Sequence, residues 1–237
     1  VIYAEGCDLA DGIHNLTVIP SRYLQTPDGK QGVLGEYFTN RDLEGEPVFT
    51  RVDDKINFYW EHLSPHPKMP DDNFGIRWTT YLNPPETGTY ALGGWGSSYY
   101  EVWFEGKKVI SHRSEHHAFH KEYSVNLEAG KKYKVEVIYK NYSGDADMKL
   151  LWAPPRIDML DKAVAAARDA DVTVLVLGLS QRLEGEEMPI KIEGFSGGDR
   201  TSLDLPATQE KLFEALAATG KPVIVVLTSG GALSVNK

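Results

Sequence analysis

The chain has 237 residues, 41% of them apolar, with 25 basic and 34 acidic side chains and a net charge of −9. That length suits one large or two modest domains, and the apolar share separates the chain from disordered compositions. The negative balance argues against nucleic acid or an anionic membrane as a partner, the single cysteine, Cys7, excludes an internal disulfide, and no apolar run approaches the roughly 18 residues of a membrane span.

In chain order, residues 1–6 read as a short strand and 7–15 as a loop. Residues 16–31 are polar and turn-rich, with Thr26-Pro-Asp-Gly29 a strong turn signal. From residue 32 to 152 the texture changes to short alternating segments at 33–38, 49–52, 56–60, 74–81, 88–92, 99–104, 107–110, 120–127, 132–139 and 148–152. Turn signals separate them closely and no helix of useful length intervenes, which predicts an all-β sandwich or barrel. After Trp152-Ala-Pro-Pro155 the pattern changes again. Residues 157–169 predict an amphipathic helix with Leu160, Val164, Ala165 and Ala167 on or near one face. Val172 to Leu177 is a nearly unbroken apolar run, as in a strand buried on both faces of a parallel sheet. A helix over 206–219 and a second apolar strand over 222–227 complete a β–α–β unit. Between strand and helix runs a loop of about 27 residues, too long for a mere connection. It leaves the carboxyl end of a strand, where open α/β sheets place their ligands. The chain lacks an initiator Met and a leader-like start, and it begins and ends in strand-like sequence, so it reads as an excised segment.

The long loop reads Leu179-Ser-Gln-Arg-Leu-Glu-Gly-Glu-Glu-Met188, then Gly194-Phe-Ser-Gly-Gly-Asp-Arg200. Glu184, Glu186 and Glu187 either solvate an exposed loop or crowd one another in a site. Asp199 and Arg200 either meet sugar hydroxyls by charge-assisted hydrogen bonds or pin the loop by a local ion pair. Gly194, Gly197 and Gly198 permit unusual backbone angles, but no Lys-Ser/Thr follows to make a phosphate loop. His112, His116, His117 and His120 fall within nine residues; their segment reads as a loop in a β domain with no cysteine beside it, so no metal site is expected. Trp60, Trp78, Trp95, Trp103, Tyr99 and Tyr100 read mainly as packing residues, with Trp95 in Gly93-Gly-Trp-Gly96 the candidate for stacking on a sugar.

The apolar strand, Glu184-Gly185, Asp199-Arg200 and the Leu-Pro-x-x-Gln run at 205–209 occur together in order. In this the segment resembles the C-terminal α/β domain of glycoside hydrolase family 3, in particular β-xylosidases and β-glucosidases whose loop reads Leu-Glu-Gly-Glu-Glu. The middle of the chain carries Gly35-Glu-Tyr-Phe38, Ile76-Arg-Trp78, Pro84-Pro-Glu-Thr-Gly-Thr-Tyr90, Val102-Trp-Phe-Glu-Gly-Lys107 and Leu127-Glu-Ala-Gly-Lys-Lys-Tyr133. It resembles the protective-antigen-type β-sandwich that family 3 enzymes carry as an insertion. The implied fold class is α/β plus all-β: a discontinuous doubly wound α/β domain, residues 1–31 and 153–237, interrupted by the sandwich at 32–152.

The resemblance implies retaining hydrolysis of terminal β-linked xylose or glucose from an oligosaccharide or glycoside, without a cofactor. Such hydrolysis needs two carboxyl groups roughly 5–5.5 Å apart. The family's nucleophile is an aspartate on a preceding (β/α)₈ barrel of about 250 residues, which nothing in this chain supplies; the chain alone is therefore expected to be inactive. The acid/base comes from the C-terminal domain and falls on Glu184 by its Glu-Gly element, with Glu186 the rival because the spacing to Asp-Arg is longer here. Asp199, Arg200 and Trp95 are the candidate substrate contacts. Calcium-dependent lectin relatives carry paired aspartates where this chain reads Gly94-Trp-Gly-Ser-Ser-Tyr-Tyr100, so sugar binding through calcium is not expected. Two other readings stand beside the enzyme: a non-catalytic carbohydrate-binding or adhesion module, and a structural spacer.

Overall fold

A computed structural model describes residues 1–61, 63–185, 188 and 190–234, with the backbone alone at 115–117 and 119. The chain divides into two compact units, one of residues 16–155 and one of 1–15 with 156–237. The turn-rich stretch 16–31, assigned by its texture to the first α/β segment, pairs instead with the sandwich.

The sandwich contains β1 (Thr17–Val18), β2 (Leu24–Gln25), β3 (Val33–Phe38), β4 (Phe49–Asp53), β5 (Asn57–Tyr59), β6 (Gly75–Leu82), β7 (Gly88–Phe104), β8 (Lys107–Leu127), β9 (Tyr133–Lys140) and β10 (Asp147–Ala153). β1 pairs with β10 and β2 with β6, all antiparallel. Four segments read separately from the sequence are two long strands here. β7 and β8 form one hairpin around Glu105-Gly106, where both residues take positive φ, 49° and 77°, as a two-residue hairpin turn of matching twist requires. The histidine-bearing stretch is therefore strand, not loop: its register with β7 overrides its weak local alternation.

β7 also joins the two layers. Its Ala91–Gly96 half pairs with β10 and its Tyr99–Phe104 half with β9. Between them the register slips at Gly96/Ser98, and Ser98 takes a φ of 60°. A bulge of this kind bends a strand and lets it change sheets. Trp78, Tyr37, Tyr100 and Tyr139 fill the space between the layers with no exposed surface. The polar ends of two of them converge on one buried carboxylate: Tyr37 Oη and Trp78 Nε1 donate to Asp53 Oδ2 at 2.6 and 2.8 Å, and Arg51 Nε donates to its Oδ1 at 2.5 Å.

The other unit contains α1 (Met159–Asp169), β11 (Thr173–Gly178), β12 (Lys191–Ile192), β13 (Phe195–Ser196), β14 (Asp199–Arg200), α2 (Ala207–Ala217) and β15 (Val223–Thr228). β11 and β15 run parallel, from Thr173↔Val223 to Gly178↔Thr228. Leu175 and Leu177 pack with Ala163 and Ala167 of α1 and Leu212 and Leu216 of α2. On the alternate positions Val174, Val176 and Ile224 are 60%, 62% and 54% exposed. The expected burial of the strand on both faces is thus met on one face, because no described element packs on the other. Residues 1–6 form no strand, and Val1, Ile2 and Tyr3 are exposed. No described helix is long and apolar enough to cross a membrane.

Candidate active site

The loop after β11 is built rather than loose. Leu179 continues the ladder by donating to Thr228 O at 2.8 Å. A turn follows, in which Ser180 O accepts from Leu183 N at 2.9 Å and Glu184 N at 3.2 Å, and Ser180 Oγ accepts from Arg182 N at 3.1 Å. Leu183 is fully buried in a cluster with Ala10 and Phe195, supported by Leu9, Ile13, Leu179, Ile190 and Ile192. Arg182 reaches back to His14 O. The segment read as irregular carries a three-stranded antiparallel meander, β12–β13–β14.

The meander brings the two sequence elements together. Gly185 N donates to Gly198 O at 3.2 Å, and Met188 N to Gly197 O at 3.0 Å. Gly198 sits at φ 90°, and any side chain there would run into the Gly185 carbonyl. Glu184-Gly185 and Asp199-Arg200 therefore lie on adjoining strands of backbone at the carboxyl end of β11. Glu184 is half-buried, and its carboxylate bonds no other described residue. Glu186 and Glu187, the rival acid/base and its neighbour, lie outside the described residues.

Arg200 is engaged within the unit: Nε donates to Ser202 O at 3.2 Å and Nη1 to Ala232 O. Asp199 is exposed and pairs with no described cation. Trp95 belongs to the sandwich. It is half-buried, donates from Nε1 to Asp147 Oδ2 at 3.1 Å, and carries the Lys149 ammonium 5.7 Å from its ring centre. His112 and His120 are cross-strand neighbours of Tyr100 and Trp95, while the side chains of His116 and His117 lie outside the described residues. Among the described residues no three of His, Cys, Asp and Glu gather as metal ligands.

The structure singles out a side chain that the sequence reading left aside, Gln209. It stands in the first turn of α2, 3% exposed, and bonds the end of β11. Its signal was present as the Gln of the Leu-Pro-x-x-Gln run, but a polar residue in a helix gives no hint of a backbone partner from another element. Cys7 lies nearby in the same unit. Burial, then the negative charge of Asp8, pushes its thiol up to about 11.

Comparison with known proteins adds the following. The PA14 domain family matches residues 29–162. A xylan 1,4-β-xylosidase of Xylanibacter ruminicola is 30% identical over 242 residues, covering 100% of this chain and 28% of the relative. The anti-sigma-I factor RsgI3 of Acetivibrio thermocellus is 30% identical over 146 residues, 59% of this chain and 22% of the relative. Among solved structures, a β-glucosidase from Kluyveromyces marxianus in complex with glucose superimposes with a TM-score of 0.67 at 18% identity, over 94% of this chain and 28% of that one, a likeness of fold. The chain thus spans only about a quarter of the length of the curated relatives it matches.

Proposed function

Because the chain belongs to the PA14 domain family and carries that sandwich between the two segments of a family 3 glycosidase C-terminal region, we propose that it is part of a retaining exo-β-glycosidase acting on terminal β-linked xylose or glucose. In this reading residues 1–15 and 156–237 are the α/β domain, a barrel elsewhere in the parent chain brings the nucleophile, and Glu184 is the acid/base. Glu184 first protonates the departing glycosidic oxygen, then takes a proton from the water that attacks the glycosyl-enzyme. Asp199 has a carboxylate free of described partners to accept from a sugar hydroxyl. Arg200 shapes the loop more than it meets sugar, since two of its nitrogens serve backbone carbonyls.

The single observation that supports this reading is the backbone bond from Gly185 to Gly198, which joins the Glu184-Gly185 and Asp199-Arg200 elements in a loop pinned by Leu183. The test is a comparison of this chain with the full-length parent on aryl β-xylosides and β-glucosides. The chain alone is expected to show no turnover, because in this reading it holds one of two cooperating groups and loss of one member removes nearly the whole rate. Turnover by the chain at the parent's rate would refute the split site.

One finding favours a second reading. A relative named as an anti-sigma factor matches 59% of the chain, so this sequence type occurs outside chains named as hydrolases. A non-catalytic glycan-binding module would show affinity for xylan or glucan oligosaccharides in the isolated chain, without any barrel.

A further inference from the structure

Besides its pairing with β15, the carboxyl end of β11 is held by one side-chain amide from α2. Gln209 Oε1 accepts from Gly178 N at 2.8 Å, while its Nε2 donates to Gly178 O at 2.8 Å and to Leu9 O at 2.8 Å. One side chain thereby satisfies three backbone groups from two distant segments, groups that burial would otherwise leave without partners. Gly178 is the last residue of β11, with φ 140°, and the chain turns there into the loop. Five residues, 179–183, separate it from Glu184, and they are fixed in turn by Thr228 O, the Ser180 turn and the burial of Leu183. Leu9, the other residue that Gln209 holds, packs in the cluster around Leu183. Gln209 thus secures both the point from which the loop departs and the floor under the residue before Glu184.

We propose that Gln209 is a positioning residue for Glu184: through Gly178 and Leu9 it sets where the Glu184 carboxylate stands, without touching substrate itself. The inference rests on the acid/base reading of Glu184. Its signature is selectivity. A displaced acid harms substrates whose leaving group needs a proton and spares those whose leaving group does not.

The experiment uses the full-length parent with Gln209→Met, which keeps the length and removes all three bonds, and Gln209→Glu, which keeps an acceptor for Gly178 N and loses both donors. Each is assayed on aryl β-glycosides ranging from activated to poor leaving groups, with azide present to relieve the second step, and Glu184→Ala is run in parallel. Loss of folded enzyme lowers every substrate equally, so the ratio of kcat on poor to activated leaving groups isolates positioning. The expected result is a fall in that ratio of about tenfold in both variants with KM nearly unchanged, since displacement by an ångström costs up to about a hundredfold. If Glu184→Ala lowers the ratio and neither Gln209 variant does, Gln209 only stabilises the fold and the inference is overturned. If Glu184→Ala leaves the ratio at its wild-type value, the acid/base reading itself fails.

Discussion

Arg156 donates through Nη2 to the carbonyl oxygen of Asn15 at 2.8 Å, although the two stand 141 positions apart in the sequence. The two flank the sandwich in sequence, so this bond ties together the chain where it leaves the α/β unit and where it returns. The tie is reinforced on every side. Arg156 Nη1 donates to Glu5 Oε2 at 2.6 Å, its Nε lies 3.3 Å from Asp8 Oδ1, and Asn15 Nδ2 donates to Glu5 Oε1 at 2.8 Å. A planar fork with several donors meets this arrangement and an ammonium cannot. Arg156→Ala is expected to destabilise the α/β unit by about 3 kcal/mol, because it strands two carboxylates in a half-buried place. Arg156→Lys should recover less than half of that. Urea unfolding followed on this unit measures both, and an Arg156→Ala chain as stable as the wild type would remove the tie from the account.

Asp53 organises the sandwich core. Its two oxygens receive Tyr37, Trp78 and Arg51, and the Arg51 guanidinium lies 4.7 Å from the Tyr37 ring centre. Asp53→Ala leaves two buried aromatic donors and one cation without an acceptor. The expected cost is about 3–5 kcal/mol, or a fall in the sandwich's Tm of roughly 10 °C. Differential scanning calorimetry decides it. A shift of a degree or two would mean that water replaces the carboxylate.

Glu101 predicts an acid-sensitive contribution from the sandwich. Burial works against its charge, but hydrogen bonds from Tyr99, Lys108 and Trp103 outweigh burial and hold its carboxyl below the usual range. A lowered folded value means that its stabilisation is complete above the unfolded carboxylate range, near about 4.3. That stabilisation is lost as pH falls through the lower folded value. Glu101→Gln should therefore melt below the wild type at pH 7, with the gap closing on acidification below pH of about 4. A gap constant across that range would mean the network does not depend on charge.

Cys7 should be inert. With its thiol pushed up to about 11, only a small fraction is thiolate near pH 8, and the thiolate is the reacting form. Reaction with an aromatic disulfide reagent is expected to run roughly a hundredfold slower in native chain than in urea. Equal rates would show the thiol to be open to solvent.

Glu184→Ala in the full-length parent should slow unactivated disaccharides by about 10²–10⁴-fold, the range for loss of a general acid. Activated aryl glycosides should lose less in the first step, and azide should restore the second by attacking the glycosyl-enzyme without base help. Near-normal hydrolysis of xylobiose or cellobiose by Glu184→Ala, alongside inactivity of Glu186→Ala, would move the role to Glu186.

The sequence by itself determined the two textures of this chain, because alternation with period 2 and unbroken apolar runs are local consequences of what a strand's faces touch. It therefore located β3, β6, β9, β10, β11 and β15 within a residue or two, and it set Glu184-Gly185 and Asp199-Arg200 on one loop after a parallel strand. What it read as two pairs of strands became one long hairpin only in three dimensions, since Ser98 and the glycines before it look like a break until β9 and β10 pair on either side of the bulge. The membership of residues 16–31 was likewise decided by partners far along the chain, in β6 and β10. The partners of Asp53 and Gln209 were hidden for the same reason. A buried polar side chain is explained by the donors and acceptors that the fold brings to it, and Tyr37, Trp78, Gly178 and Leu9 meet them only by tertiary contact. The bare faces of Val174, Val176 and Ile224 mark the same limit from the other side: hydrophobic pattern states that a face is to be covered, and packing alone states by what.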